Sequence, residues 1–158
     1  MQSDQFKAAV GKYPTGVCVI STKYNNKLYG FTANSFASVS LDPALISFCL
    51  NKKAGSFSAF LNSPYFVVNI LADNQSQVAK RFSSSVANKF QDLDYKENDF
   101  GVPIISGALS FIECEKYNQI ECGDHYIFIG KALKATINND INNKSPLVYY
   151  GKSYMELK

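Results

Sequence analysis

Apolar and polar positions alternate along most of this chain in short runs, and each run carries a recognisable period. Near the start, "SDQFKAAVGKY" offers Ser3 or Asp4 as a helix N-cap. Phe6, Ala9, Val10 and Tyr13 then share one helical face, and Pro14 ends that helix. "GVCVISTKY" reads as a β-branched strand, residues 25–27 ("NNK") as a turn, and "LYGFTANSFASVS" as the return strand of a hairpin. "ALISFCL" and "YFVVNIL" are buried strands. Between them "GSFSAFLNS" is a short helix with Ser56 at its N-cap and Phe57, Phe60 and Leu61 on one face. "NQSQVAKRFSSSV" fits a further helix, in which Val78 and Phe82 are one turn apart.

Beyond it, residues 86–108 read as loop, with "FGVP" as a turn. "ALSFIECEKYNQIE" and "HYIFIGKALKATI" form two long strands suited to antiparallel pairing. "NNDINNKSP" is a polar loop, and "LVYYGKSYMEL" is a last strand. Six or seven strands stand against three short helices. Strands and helices do not alternate, and no G-x-G-x-x-G follows a strand, so a doubly wound nucleotide fold is disfavoured. The pattern predicts a mostly antiparallel barrel with peripheral helices.

Composition narrows the class. The chain has 158 residues, 46% hydrophobic and 18% charged, which suits one domain with a substantial core. Its 12 Phe and 10 Tyr serve an aromatic core first and an aromatic-lined pocket second. The net charge of +3 is spread thinly, with Lys52-Lys53 the densest pair, so no basic stripe for nucleic acid is visible. No apolar run is long enough to span a bilayer, and the N-terminus lacks a signal-peptide pattern. These features lead us to expect a cytoplasmic protein. Cys18, Cys49, Cys114 and Cys122 show no C-x-x-C spacing and are expected to be reduced and mostly buried. Cys122 and the single histidine, His125, are close enough to suggest a metal pair, but further ligands are lacking.

The stretch "GFTANSFASVSLDP", residues 30–43, is unusually rich in small hydrogen-bonding side chains. A strand period of two puts Phe31, Ala33, Ser35, Ala37, Val39 and Leu41 on a small apolar face suited to a barrel interior. Thr32, Asn34, Phe36, Ser38, Ser40 and Asp42 fall on the other. That second face is either an exposed polar surface or the wall of a site for a flat polar ligand. "LNKKAGSF" sets two lysines before a helix start, which suits either a phosphate or plain solvent. Arg81 points toward a phosphate or toward water, and His125 contacts an anion or only local backbone. So few acid–base residues imply that a cofactor would carry any difficult chemistry.

In combination these segments are familiar. "FKAAVGKYPTGVCVIST", "GFTANSFASVSLDPAL", "VNIL…Q…A…RF", "GVPII…AL", "ECGDHYIFIG" and "PLVYYGKSY" occur in this order across essentially the whole chain. The sequence thereby resembles the short-chain flavin reductases that serve two-component flavin monooxygenases, such as those acting on phenol or 4-hydroxyphenylacetate. The resemblance implies a single domain over residues 1–158, an FMN-binding split β-barrel of Greek-key type that forms a homodimer. It implies an NAD(P)H:flavin oxidoreductase, with NADH or NADPH reducing FMN, FAD or riboflavin. The reduced, diffusible flavin would then pass to a partner monooxygenase.

By position, Thr32, Ala33, Asn34 and Ser35 would line the isoalloxazine ring, and Ser38, Val39, Ser40 and Leu41 would continue that wall. Cys49, Leu50, Asn51 and Lys52 would cover another edge. Ser56, with Lys52 or Lys53 and Arg81 beside Phe82, would hold the phosphate. His125, of the G-D-H motif, would sit in the nicotinamide pocket, and Tyr154 would shape that pocket with Tyr149 or Tyr150. Ala44 replaces a second proline common in such proteins, "NKKAGSF" is atypical around the phosphate, and the Asn-rich loop 137–145 has no clear counterpart. A non-catalytic flavin store or sensor on the same barrel is the alternative. An oxidase of the pyridoxine phosphate type would need more clustered arginines.

Overall fold

The computed structural model describes residues 3–141 and 143–157. Among them the helices are α1 (Ser3–Val10), α2 (Phe57–Asn62) and α3 (Ser76–Ser83). The strands are β1 (Thr15–Gly16), β2 (Cys18–Tyr24), β3 (Lys27–Ala33), β4 (Ala37–Leu41), β5 (Ala44–Asn51), β6 (Tyr65–Ile70), β7 (Tyr95–Glu97), β8 (Pro103–Ile105), β9 (Ser110–Cys122), β10 (His125–Ile137), β11 (Leu147–Tyr150) and β12 (Ser153–Glu156).

Seven strands form one sheet in the order β3-β2-β6-β9-β10-β5-β4, and every pairing in it is antiparallel. The sheet curls until β3 and β5 meet, leaving a split barrel. A smaller sheet, β1-β11-β12, joins the two ends of the chain, and β7 pairs with β8. Tight turns set the register. Asn25 and Asn26 have φ of 49° and 59°, as a two-residue hairpin turn of right-handed twist requires.

Several expectations are corrected here. Residues 86–108 are not all loop, because Tyr95–Glu97 and Pro103–Ile105 pair as strands. The closing segment is a hairpin and not one strand, since Gly151 and Lys152 adopt φ of 55° and 68° and reverse the chain. Helix α1 ends at Val10, before Pro14, and buries no side chain. The long return strand is broken: β3 stops at Ala33 and β4 starts at Ala37.

The core is aromatic. Phe48 stacks on Phe128 with centroids 5.2 Å apart and meets Phe66 edge-on at 5.1 Å. All three are at most 3% exposed. A second cluster, with Val19, Leu71, Phe82, Phe90 and Leu147, fills the space between the main sheet, α3 and the terminal sheet. One polar knot lies inside. The Asn69 amide donates to Val19 O and to Ser21 Oγ, both at 3.1 Å, and its oxygen accepts the Ile105 N–H at 2.9 Å. The knot ties β8 onto β2 and β6, and it satisfies buried groups that would otherwise be costly.

Candidate functional site

The break in residues 34–36 is the starting point. Pairing of β4 with β5 runs Ala37↔Ser47, so continued register would oppose residue 35 to Cys49. The chain leaves the ladder there, and the Ser35 hydroxyl stands in for it. Cys49 N–H donates to Ser35 Oγ at 2.9 Å, and Ser35 Oγ lies 3.3 Å from Cys49 O. A hydroxyl at this position therefore pins an unpaired, partly exposed segment against β5.

The break also resets the strand period. Ala33 is buried in the barrel as expected, but Val39 is 52% exposed and Leu41 is 93% exposed, so neither belongs to the interior. Asn34 and Ser38 are exposed and Ser40 is half-buried. Thr32 turns its hydroxyl to Ala79 O and so fastens β3 to α3. With Thr32 and Gly30 facing α3 and Phe31 and Ala33 facing the barrel core, both faces of β3 are covered. Its open side is the free edge of a terminal strand, where backbone N–H and C=O groups are available to a ligand. Apart from the inward-facing Phe31, the side chains along residues 30–35 are small or short and polar, so they leave that backbone edge accessible.

Across the sheet, β10 delivers His125 to this region. His125 pairs with Asn51 on β5 and with Cys122 on β9. Lys52 N–H donates to Asp124 O at 3.0 Å and locks the Gly123-Asp124 turn onto the end of β5. His125 Nδ1 lies 2.7 Å from Asp124 Oδ1, and that contact holds the Asp124 carboxyl below the usual carboxylate range. Lys52 forms an ion pair with Glu121 and sits 5.8 Å over the Tyr126 ring. Its ammonium is therefore engaged at the histidine end, which leaves Lys53 as the other lysine expected near a phosphate. Leu50 is 3% exposed and packs inward, so only its backbone faces outward. Among the described residues no cluster of three or more His, Cys, Asp or Glu forms, and Cys122 and His125 meet only as a cross-strand pair.

The turn after β5 leads to the second part of the site. Asn51 Oδ1 accepts the Lys53 N–H at 2.8 Å, and Asn51 O accepts the Ala54 N–H at 3.0 Å. The chain then reaches Ser56, which is 7% exposed and occupies the N-cap position of α2 without a side-chain capping bond. Ser56 lines a cavity of about 320 Å³ along β3, together with Lys27, Gly30, Ser84, Ser85 and Lys89. No Asp or Glu lines it. Lys89 Nζ donates to Phe82 O at 2.9 Å and reaches Gly30 O at 3.4 Å. Burial lowers the Lys89 pKa from the ordinary lysine value. Such a cavity, with hydroxyls, an ammonium and no competing acid, suits a phosphate.

Arg81, expected at that phosphate, and its neighbour Phe82 are engaged elsewhere. Arg81 donates through Nη1 to Gln91 O at 2.7 Å and clamps the following loop. Phe82 is 1% exposed and belongs to the core. Lys27, Ser84, Ser85 and Lys89 also line the cavity and are absent from the expected set. Helix α3 ends at Ser83, so Ser84 and Ser85 leave it and turn to the cavity, and only the "NKF" cluster after a serine run hinted at Lys89. Tyr154 packs on Tyr149 with centroids 5.4 Å apart and contacts Ser83, and burial raises its phenol pKa. It braces the end of α3 that carries the serines.

Two thiols are sealed. Burial pushes Cys18 and Cys114 up to about 12, while Cys122 is exposed beside His125. A separate cavity of about 480 Å³, lined by Lys96, Phe111, Thr136 and Asp140, shares no residue with this site.

Comparison with known proteins identifies the family. The model of the flavin reductase like domain matches residues 10–158. A flavin reductase of Pseudomonas putida is 37% identical over 150 residues, spanning 94% of this chain and 86% of its own. The reductase subunit HsaB of a flavin-dependent monooxygenase of Mycobacterium tuberculosis is 34% identical over 149 residues, spanning 94% of this chain and 79% of its own. Among solved structures, the NADH:FAD oxidoreductase of Streptomyces globisporus C-1027, in complex with NAD and FAD fragments, superposes with a TM-score of 0.91. Its sequence is 31% identical, and the match covers 98% of this chain and 92% of that one. With the ordered motifs lying on a split antiparallel barrel and the match running to the last residue, this chain belongs to the flavin reductase like domain family.

Proposed function

We propose that this chain is an NAD(P)H-dependent flavin reductase whose flavin lies along the free edge of β3. Its ring end would sit at residues 32–35 and 49–51, and its phosphate would enter the cavity of Ser56, Ser84, Ser85 and Lys89. The observation that carries this reading is spatial continuity. An unpaired polar segment, an open strand edge and a basic, acid-free cavity follow one another over the length of β3.

The redox chemistry would belong to the two nucleotides, which when bound would supply hydride transfer from nicotinamide C4 to flavin N5. The protein's part is placement and electrostatics. Backbone N–H groups along the free β3 edge and the 34–35 break, with that of Asn51, would supply donors where negative charge develops on the reduced ring. Ser35 holds that segment rigid against β5. Lys89 and the serines anchor the phosphate end and so fix where the ring stops. His125, at the far side, orients the nicotinamide nucleotide, with Asp124 bonded to its Nδ1 so that Nε2 faces outward.

The protein would act as a homodimer. Tyr117, Ile120, Leu133 and Ile137 on the projecting β9–β10 hairpin, with Val39 and Leu41 on β4, leave apolar surface open on one protomer. The diffusible reduced flavin would serve a partner monooxygenase, the role that HsaB's name carries. A cytoplasmic location fits four unpaired cysteines. No described helix is long and apolar enough to cross a membrane.

Nucleotide oxidation, measured for NADH and NADPH each with FMN, FAD and riboflavin, tests the activity. Turnover with at least one combination is expected. Flavin binding without turnover in any would favour a store or sensor. Light scattering after gel filtration tests the dimer, and a monomer at micromolar concentration would exclude it.

A further inference from the structure

One irregular segment supplies much of the wall of the phosphate cavity. Ser84, Ser85, Val86, Ala87 and Lys89 all come from the stretch between α3 and β7, which forms neither helix nor strand. Residues 84–88 are exposed, so burial does not hold them in place. Arg81 holds both ends of the stretch. Its carbonyl accepts the Ser84 N–H at 3.2 Å and the Ser84 hydroxyl at 2.7 Å, which sets the direction in which the chain leaves α3. Its guanidinium reaches forward and donates from Nη1 to Gln91 O at 2.7 Å. Directly after Gln91, Asp92 adopts φ of 54°, a turn conformation that aspartate tolerates.

We propose that Arg81 is a positioning residue for the flavin phosphate. It does not line the cavity, and it acts by holding the segment that brings Lys89 and the two serines there. This rests on the placement of the phosphate in that cavity. A guanidinium suits the task. It is long enough to span the segment, and its planar set of N–H groups loses little freedom on bonding. Among the described residues no carboxylate forms an ion pair with it, so its charge strengthens the bond to Gln91 O. Without the clamp the segment is in its binding position for a smaller fraction of the time. The apparent dissociation constant rises in inverse proportion to that fraction. Riboflavin has no phosphate and draws nothing from the segment. The clamp therefore sets how strongly a phosphorylated flavin is favoured over riboflavin, and Lys89 is the charged group through which it acts.

The test is a set of dissociation constants for FMN and riboflavin, by flavin fluorescence. The proteins are the wild type, Arg81→Met, Arg81→Lys, Lys89→Met and the double variant of Arg81→Met with Lys89→Met. Arg81→Met is expected to weaken FMN about fivefold or more and to leave riboflavin within about twofold. Arg81→Lys, which keeps a cationic donor, is expected to recover most of that loss. In the Lys89→Met background, Arg81→Met is expected to add less than about twofold, because the charge it positions is gone. Equal weakening of FMN and riboflavin overturns the proposal, since the clamp then serves the fold alone. Full additivity of the two substitutions also overturns it, since Arg81 then acts independently of Lys89. Unchanged FMN affinity in Arg81→Met, with FMN still weakened in Lys89→Met, overturns the clamp and leaves the phosphate site standing. FMN affinity unchanged in Lys89→Met removes the phosphate site, and this proposal with it.

Discussion

Replacing Gly30 by Ala puts a methyl group where β3 passes closest to the core. A Cβ built there lies 2.7 and 2.9 Å from two ring carbons of Phe82 and 3.2 Å from Ile20 O. The ring has nowhere to go: Phe82 is 1% exposed and packs edge-on against Phe90 at 5.0 Å. Either the ring shifts and loosens its cluster or β3 bows away from β2. Overpacking of this kind costs about 1–3 kcal/mol. With a urea m-value of roughly 2 kcal/mol/M, the unfolding midpoint falls by about 0.5–1.5 M. Because Gly30 also lines the phosphate cavity and its carbonyl is within reach of Lys89, FMN affinity falls as well. Gly55→Ala is the matched control. Gly55 lines the same cavity, yet a Cβ there meets nothing within 4 Å, and the change stays within about 0.5 kcal/mol. Equal urea midpoints for the two variants would refute the reasoning.

Four further outcomes are expected. Asn69→Ala removes all three bonds of the buried knot and leaves the Ile105 N–H without a partner. It lowers unfolding free energy by about 2–4 kcal/mol in the same titration, and a loss under about 1 kcal/mol contradicts the role of the knot. Lys89→Met raises the FMN dissociation constant about tenfold or more and leaves riboflavin unchanged. The pH response follows with a definite sign. Burial lowers the Lys89 pKa, so the charge is present at lower pH and lost earlier than for an ordinary lysine as pH rises. The FMN constant therefore rises on the alkaline side in the wild type and not in Lys89→Met, and parallel curves would exclude Lys89 as the anchor. His125→Ala raises KM for the nicotinamide nucleotide about tenfold while flavin binding changes less than about twofold, and equal effects on both would remove its assigned place.

Much of the fold was legible because local pattern and global fold agree. The β-branched run of β2, the Asn25-Asn26 turn and the long β9–β10 pair each follow from residue type and period. The short β7–β8 pair was not legible, because three residues per strand carry too little period and their support is tertiary, from Asn69 and Ser21. For residues 30–41 the period of two gave the wrong geometry. A period of two assumes an unbroken strand, and the Ser35 hydroxyl replaces ladder bonds precisely enough in direction that the chain can leave and rejoin the sheet. These residues are expected to line the flavin, yet the hydroxyls of Ser35 and Thr32 are engaged by the scaffold, and in the proposed site it is the free β3 edge that would face the ligand. His125 and Asn51 are cross-strand neighbours, since strand ends are set by turns that the sequence displays. Lys89 lies in a loop whose path depends on Phe90 entering the core, and that is a property of packing rather than of local spacing.

The sealed thiols acquire a meaning once the product is considered. Reduced flavin that escapes into aerated water reacts with oxygen and yields peroxide, so a protein that makes it works beside a source of its own damage. Thiol oxidation runs through the thiolate, and at neutral pH Cys18 and Cys114 hold almost none. Cys122 has no such shelter. It stands across the hairpin from His125 and, as the one exposed thiol of the four, is the first that such peroxide meets.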